Sequence, residues 1–168
     1  MALSSPRTDE LVLRSPTPAE ASVVGGWSRS AQETLKWCSS TEHPVSAARV
    51  LAWWEPSDVE PYVAVDAHGA LLGYGELWLD PEEDEVELAR VIVSPAIRGQ
   101  GVGRRLVAGL VDRAMATELG SVVLRVSPGN PAAVRCYRAS GFRKLDAERT
   151  ATWNTGQPAT YIWMELVR

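Results

Sequence analysis

The chain has 168 residues, 45% of them hydrophobic, and a formal net charge of -4 at pH 7. This size predicts one compact domain, and the acidic balance argues against a nucleic-acid partner. Because no run of about 18 apolar residues occurs and residues 1–10 lack the apolar segment of a signal peptide, we expect a cytoplasmic protein that does not contact membranes. Two cysteines, Cys38 and Cys136, are too few to predict a metal cluster or a disulfide framework.

The first third of the chain predicts a tail, one strand and short helices. Residues 1–9 are expected to be a disordered tail, and residues 10–168 a single domain. Leu11 to Leu13 indicates the first strand, and Thr17-Pro18-Ala19-Glu20 has the pattern of a capping box at a helix start. The helices that follow are predicted over 18–27, 32–37 and 47–54.

A hairpin and an acidic turn lead into the central strand. The two strands of the hairpin are predicted over 61–65 and 71–79. An acidic turn over 80–85 precedes an apolar strand over 87–93. Strict alternation of side chains would place Glu87, Ala89, Val91 and Val93 on one face of this strand and Leu88, Arg90 and Ile92 on the other.

A glycine-rich loop follows the central strand, with the sequence Arg98-Gly99-Gln100-Gly101-Val102-Gly103-Arg104. Alternate glycines let successive backbone N–H groups point the same way, and the start of a helix favours an anion. The loop therefore predicts a ligand that carries phosphate. It lacks the Gly-Lys-Ser/Thr ending of a triphosphate-binding loop, and its third glycine comes one residue too early for a dinucleotide loop.

The remaining elements predict a parallel crossover and two final strands. Apolar residues at helical spacing after the loop predict a helix that packs on the sheet, and 122–126 predicts the next strand. Asn130 and Pro131 have the pattern of a helix start, and that helix is expected to end near Ser140. Strands over 142–145 and 160–167 are expected to be joined by a polar loop.

The order of these motifs closely resembles the Gcn5-related N-acetyltransferase (GNAT) superfamily. Arg98-x-x-Gly101-x-Gly103 follows the strand that ends in Val91-Ile92-Val93, and Asn130 is followed seven residues later by Tyr137. The resemblance spans roughly residues 63–142. It implies an α/β fold of the mixed α+β type, in which a central sheet of about six to seven strands is splayed between the fourth and fifth strands and has helices on both faces. It also implies an acyltransferase that uses acetyl-CoA and no metal.

The resemblance further implies a role for each matching residue. The pyrophosphate of CoA would be bound by the loop residues Arg98, Gly99, Gln100, Gly101, Val102, Gly103 and Arg104. Val91, Ile92 and Val93 would meet the thioester and the pantetheine arm, and Asn130 would touch the same arm. Tyr137 would protonate the leaving thiolate. Glu87, working through water, is the expected base, with Glu85 as second choice and a water chain without a protein base as the alternative.

The acceptor is expected to be a small-molecule amine, such as a polyamine, an amino acid derivative or an amine antibiotic. Acetylation of a protein N-terminus or lysine is an alternative. The similar ribosomal-protein N-terminal acetyltransferases carry a glutamate five residues before the asparagine, where this chain has Arg125. The same motifs also suit a non-catalytic acyl-CoA-binding regulatory module, or an enzyme that uses a different donor such as succinyl-CoA. We expect a monomer or homodimer.

The superfamily shapes its acceptor pocket with the variable segment between the first two strands. In this chain that segment is rich in tryptophan, with Trp27, Trp37, Trp53 and Trp54. Large aromatic side chains either wall a binding pocket or fill a core. The sequence alone leaves both interpretations open for these four residues.

Overall fold

The computed structural model describes residues 10–168 and contains a seven-stranded mixed sheet. The strands are β1 (Val12–Arg14), β2 (Val59–Val65), β3 (Leu71–Asp80), β4 (Glu85–Val93), β5 (Ser121–Val126), β6 (Phe142–Lys144) and β7 (Ile162–Leu166). Their order across the sheet is β1-β2-β3-β4-β5-β7-β6. The predicted α/β fold with a mixed sheet is confirmed. The prediction of a disordered tail over residues 1–9 lies outside the described residues.

Helices cover both faces of this sheet. They are α1 (Ala21–Gly25), α2 (Ala31–Cys38), α3 (Ala47–Trp53), α4 (Val102–Ala116), α5 (Pro131–Ala139) and α6 (Ala147–Asn154). Ahead of α1, the predicted capping box is present, because Glu20 accepts a hydrogen bond from the backbone N–H of Thr17 at 2.8 Å. Within residues 10–168, no helix is both long and apolar enough to cross a membrane.

Helix α6 corrects the expectation of a polar loop between the last two strands. Asp146 accepts a hydrogen bond from the backbone N–H of Arg149 at 2.8 Å and so caps the helix, and Glu148 lies in its first turn. Trp153 of α6 packs edge to face on Trp163 of β7, with ring centroids 5.1 Å apart. The cap was visible in the sequence, but only three of the eight residues of α6 are apolar, namely Ala147, Ala151 and Trp153, which gives no clear apolar stripe.

Strands β4 and β5 are parallel and are joined by α4, as the crossover prediction required. Their pairing runs only from Glu85 opposite Ser121 to Leu88 opposite Leu124. The second half of β4 has no partner in β5, so the two strands separate at this point. The predicted splay between the fourth and fifth strands is therefore confirmed.

A bulge at Arg90 overturns the prediction of strict alternation along β4. The pairing of β3 with β4 shifts between Tyr74 and Glu76, and Arg90 has a φ of 47°. Tyr74 lies opposite Ile92 and Glu76 lies opposite Ala89, so Ala89 and Ile92 share one face although the prediction separated them. Arg90 joins the same face, because its guanidinium donates to Glu76. The extra residue of a bulge changes the face of every later side chain.

Two glycines in β3 let α4 lie close to the sheet. A Cβ at Gly73 would lie 2.8 Å from Cδ2 of Leu106, and one at Gly75 would lie 2.6 Å from Cδ1 of Leu110. Both leucines are fully buried in the main core. The helix therefore packs against β3 at these two glycines, and its N-terminus lies beside the end of β4.

Candidate active site

The separation of β4 from β5 opens a cleft of about 700 Å³. Its walls come from the second half of β4, the start of α4, helix α5 and helix α2. The predicted site residues that line it are Val91, Ile92, Val93, Arg98, Gly99, Gly101, Val102, Gly103, Arg104, Asn130 and Tyr137. Gln100, Glu85 and Glu87 were also predicted, but they are not among its lining residues.

The glycine loop presents unpaired backbone donors to this cleft. Gly99 and Gly101 have φ values of 77° and 78°, a left-handed conformation that glycine adopts without strain. The first intrahelical hydrogen bond of α4 is made by the N–H of Arg105 to the carbonyl of Gly101. The N–H groups from Gly99 to Arg104 have no acceptor among the described residues. Together with the helix dipole, they form a cradle for an anion.

The side chain of Arg98 is bonded to the protein itself. Its guanidinium pairs with Glu33 of α2 and also donates to the carbonyl oxygens of Trp27 at 3.2 Å and Val93 at 3.1 Å. These contacts fasten α2 to the end of β4 and so form one side of the cleft. Arg104 is exposed on the same lining and contributes a second positive charge.

Tyr137 lies on α5 and lines the cleft. The ring of Tyr137 is buried and packs at 68° on Phe142, with centroids 6.1 Å apart. Its hydroxyl has no hydrogen-bond partner among residues 10–168. No side-chain polar atom of these residues is both fully buried and without a partner, so the hydroxyl must be accessible, and Tyr137 lines the cleft. Burial raises the pKa of Tyr137 above its usual value, which keeps the phenol protonated.

Asn130 is both a helix cap and a lining residue. Its side-chain oxygen accepts a hydrogen bond from the backbone N–H of Ala133 at 3.2 Å, so it caps α5 as its position in the sequence predicts. The side-chain nitrogen of Asn130 has no partner within the described part of the chain. It remains a donor next to the cleft.

The two predicted bases lie on β4 before the point where the strands separate. Glu87 accepts from Nε of Arg125 at 2.7 Å and from Nη2 at 3.1 Å. Burial raises the pKa of Glu87, and the guanidinium of Arg125 opposes that rise. At the start of the strand, burial and the neighbouring charge of Glu87 raise the pKa of Glu85 to about 7.

No unpaired carboxylate of residues 10–168 lines the cleft. Glu33 is the one acidic residue of the lining, and it is paired with Arg98. Neither His43 nor His68 belongs to the lining. A proton released in this cleft therefore has to reach Glu87, or bulk solvent, through water.

Arg125, five residues before Asn130, is surrounded by aromatic rings. Its guanidinium carbon lies 5.3, 5.6 and 5.0 Å from the ring centroids of Trp78, Tyr161 and Trp163. Its Nη1 donates to Gln157 at 2.6 Å. All three nitrogens are thus hydrogen-bonded once the pair with Glu87 is included, and the residue lines the cleft.

Sequence reasoning missed a buried network beside the cleft. Glu76 is fully buried and accepts hydrogen bonds from Nε1 of Trp78 at 2.7 Å, from Nη1 of Arg90 at 2.8 Å, and from the hydroxyl of Tyr74. That hydroxyl in turn accepts from Nε1 of Trp54 at 2.9 Å. Burial raises the pKa of Glu76. The available signal was a glutamate in the middle of an otherwise apolar strand.

The four tryptophans between β1 and β2 divide between core packing and a pocket wall. Trp27 is buried in the core beneath α1, and Trp54 is fixed to the Tyr74 hydroxyl. Trp37 lines the cleft and donates to the carbonyl of Arg90 at 2.9 Å. The ring of Trp53 lies 4.2 Å from the guanidinium carbon of Arg90. Core packing therefore describes the first two, and a wall near the cleft describes the other two.

Comparison with known proteins matches most of this region to one family. The model of the acetyltransferase (GNAT) family matches residues 28–142. N-alpha-acetyltransferase RimI of Mycobacterium tuberculosis is 37% identical over 91 residues, which are 52% of this chain and 55% of that protein. L-methionine sulfoximine/L-methionine sulfone acetyltransferase of Pseudomonas aeruginosa is 35% identical over 108 residues, 60% of this chain and 62% of that protein. The chain thus spans little more than half the length of these curated relatives.

A solved structure shares the whole fold. The aminoglycoside acetyltransferase AAC(6')-Ib in complex with ribostamycin and coenzyme A superposes with a TM-score of 0.75. The match covers 95% of this chain and 94% of that one at 23% sequence identity. At this level of identity, the likeness supports the fold alone. Among residues 10–168, no group of three or more His, Cys, Asp or Glu side chains is arranged to hold a metal ion.

Proposed function

Because the chain belongs to the acetyltransferase (GNAT) family, we propose that it transfers the acetyl group of acetyl-CoA to a primary amine on a small molecule. One observation carries this proposal. The unpartnered hydroxyl of Tyr137 and a set of unpaired backbone N–H groups belong to residues that line the same cleft, the N–H groups being those of Gly99, Gly101, Val102, Gly103 and Arg104. The N–H groups suit a diphosphate, and the hydroxyl suits a thiolate that needs a proton.

The cleft has the features that coenzyme A requires. Backbone donors at the start of α4 would bind the diphosphate, and Arg104 would add positive charge. The unpaired edge of β4 over Val91 to Val93 would hold the pantetheine arm by backbone hydrogen bonds, as a neighbouring strand would. The side-chain nitrogen of Asn130 would donate to the same arm. The guanidinium of Arg98 is already bonded to the carbonyls of Val93 and Trp27, so it would hold the loop in place without touching the diphosphate.

The chemical steps are removal of a proton from the amine and delivery of one to the sulfur. An alkylammonium with a pKa near 10.4 is neutral in about one molecule in several thousand at pH 7, a penalty of roughly 4 to 5 kcal/mol. Tyr137 would supply the proton for the sulfur, because burial keeps its hydroxyl protonated through the neutral range. The acyl group passes from sulfur to nitrogen in a single direct attack.

Glu87 is the better of the two predicted bases. At about 3.3 Å per residue, Glu87 lies roughly 13 Å along β4 from Val91, and Glu85 lies roughly 20 Å away. Either distance excludes direct contact with an amine at the thioester and requires water. Arg125 lines the cleft and is paired with Glu87, so a proton from the amine would have a shorter path through water to Glu87 than to Glu85. A water chain to bulk solvent is the alternative, and it needs no protein base.

Replacing Glu87 by glutamine distinguishes these routes. If Glu87 is the base, kcat at pH 7 should fall by about 10²-fold or more. The deficit should shrink as the pH approaches the pKa of the acceptor amine, because a neutral amine needs no base. The measurement is thiol release from pH 6.5 to 10. Glu165→Gln is the matched control, because it breaks a comparable pair with Arg149 away from the cleft. A deficit that stays constant with pH would mean that Glu87 only positions Arg125.

Thiol release by the whole chain with acetyl-CoA tests the proposed function. The acceptors should include small primary amines and peptides with free N-termini, and succinyl-CoA should be compared as donor. We expect release that depends on a small amine and on the acetyl donor. Hydrolysis without acceleration by any amine would instead support a non-catalytic acyl-CoA-binding module. Faster reaction with peptides would support a protein acetyltransferase, and faster reaction with succinyl-CoA would change the donor.

A further inference from the structure

Arg90 is held more firmly than packing of the strand requires. Its guanidinium carbon lies 4.2 Å from the ring centroid of Trp53 and 4.9 Å from that of Trp78. Its Nη1 donates to the buried carboxylate of Glu76 at 2.8 Å. The residue adopts a φ of 47°, a conformation that costs about 1–2 kcal/mol for a side chain other than glycine. Several neighbours thus combine to aim one guanidinium.

The rest of that guanidinium is available to a ligand. Nε and Nη2 of Arg90 have no partner among residues 10–168, and neither is sealed from solvent. These two nitrogens form the side edge of the group, whose parallel N–H bonds match the two oxygens of a carboxylate. The chain itself contains an example, because Arg125 holds both oxygens of Glu87 with the same edge at 2.7 and 3.1 Å.

The position of Arg90 separates it from the diphosphate. The missing side chains of Gly73 and Gly75 point towards α4, so Glu76 and the guanidinium bonded to it lie on the opposite face of the sheet. The cradle for the anion is at the N-terminus of α4. Trp53, whose ring lies under the guanidinium, packs edge to face on Trp37 with ring centroids 5.6 Å apart. Arg90 and Trp37 both line the cleft, so this guanidinium lies at the cleft but on the other face of the sheet from the anion cradle.

The charge of the lining argues in the same direction. The charged residues that line the cleft are Arg29, Lys36, Arg90, Arg98, Arg104 and Arg125, with Glu33 as the single carboxylate of the described part. Glu33 is already paired with Arg98, so no acidic group is available there for a second ammonium group of a polycation. A carboxylate on the acceptor would instead be attracted by these positive charges.

We propose that the acceptor is an amino acid or a close derivative, whose carboxylate binds the Nε–Nη2 edge of Arg90 while its amine receives the acyl group. The inference rests on the proposed function and names its substrate class. Trp53 and Trp78 hold the guanidinium in place, so little side-chain freedom is lost on binding. Glu76 and its donors keep Nη1 occupied, which leaves only the side edge to the ligand.

The first test compares each acid with its own amide. The whole protein is assayed by thiol release from acetyl-CoA with the common L-amino acids, the matching amino-acid amides and a linear polyamine. We expect kcat/KM for the preferred acid to exceed that for its amide by about 10- to 100-fold, the worth of a charge-assisted paired hydrogen bond. With rates compared at equal concentrations of the neutral amine, equal or faster reaction of the amides or of the polyamine would overturn the proposal.

The second test removes the paired N–H donors of the Arg90 guanidinium but keeps the positive charge. Arg90→Lys is expected to raise KM for the amino acid about 10- to 100-fold and to abolish the preference for acid over amide, with KM for acetyl-CoA unchanged. Arg149→Lys is the matched control, because Arg149 also lies over a tryptophan and pairs with a glutamate, away from the cleft. If Arg90→Lys unfolds, Arg90→Gln combined with Glu76→Gln avoids an unpaired buried carboxylate. A preference that survives in a folded variant would overturn the proposal.

A binding measurement separates this inference from the proposed reaction. Trp53 and Trp78 flank Arg90, so titrating the same amino acids into the CoA-bound protein should change tryptophan fluorescence in the wild type and not in Arg90→Lys. If this response is present but no amine is acetylated, the proposed function fails and the carboxylate site stands. If amines are acetylated but neither the response nor the acid preference is seen, only the carboxylate site fails.

Discussion

Replacing Tyr137 by phenylalanine is expected to lower kcat by about 10²- to 10⁴-fold while leaving the affinity for CoA nearly unchanged. The hydroxyl makes no hydrogen bond within residues 10–168, and the ring packing on Phe142 is kept, so the free energy of unfolding should not fall. The loss of rate therefore reports the missing proton donor. Thiol-release kinetics, calorimetric titration with CoA and thermal unfolding measure the three quantities.

Tyr62→Phe provides the matched control for this variant. The hydroxyl of Tyr62 donates to Glu60 at 2.8 Å, outside the cleft, so its removal should leave both kcat and CoA affinity at wild-type values. An equal loss of CoA affinity and kcat in Tyr137→Phe would contradict the assigned role, since it would place the hydroxyl in cofactor binding. An unchanged kcat would assign protonation of the sulfur to water.

The parts of the fold that the sequence predicted are those with local signals. The β4–α4–β5 unit combines an apolar strand, a glycine loop and an apolar helical stripe, each contained within a few consecutive residues. The bulge at Arg90 depends on how β4 pairs with β3, which no single stretch of sequence specifies. Helix α6 was missed because its only local mark is the cap at Asp146 and it has no clear apolar stripe.

The candidate site divides in the same way. The loop residues, Asn130 and Tyr137 were predicted because their spacing along the chain is itself the signal, and all but Gln100 line one cleft. The contact between Arg90 and Glu76 joins residues on two strands and could not be read from spacing. The commitment of the Arg98 guanidinium to Glu33, which lies on α2, likewise depends on the folded chain.

Replacing Gly103 by alanine is expected to stabilise the protein and to weaken CoA binding. A Cβ there would lie 3.7 Å from Cγ2 of Val93 and 3.8 Å from Sγ of Cys136, both ordinary contacts, so the fold accommodates it. Alanine is preferred to glycine within a helix by about 0.5–1 kcal/mol, which should raise Tm by about 1 to 4 °C. Val93 and Cys136 line the cleft, so the new methyl group would occupy space beside the proposed diphosphate site.

We expect the Kd of CoA to increase about 10-fold or more in Gly103→Ala, a size typical of one excess methyl group in a close-packed contact. Gly109→Ala makes the same substitution in the same helix, where the new Cβ would approach Cδ1 of Leu13 at 2.9 Å and not the cleft. Its stability can change in either direction, but its CoA affinity should not. Replacing a glycine that the fold needs lowers the stability of the protein, whereas replacing a glycine that a ligand needs lowers the affinity for that ligand. If Gly103→Ala binds CoA as tightly as the wild type, the diphosphate does not bind at this loop.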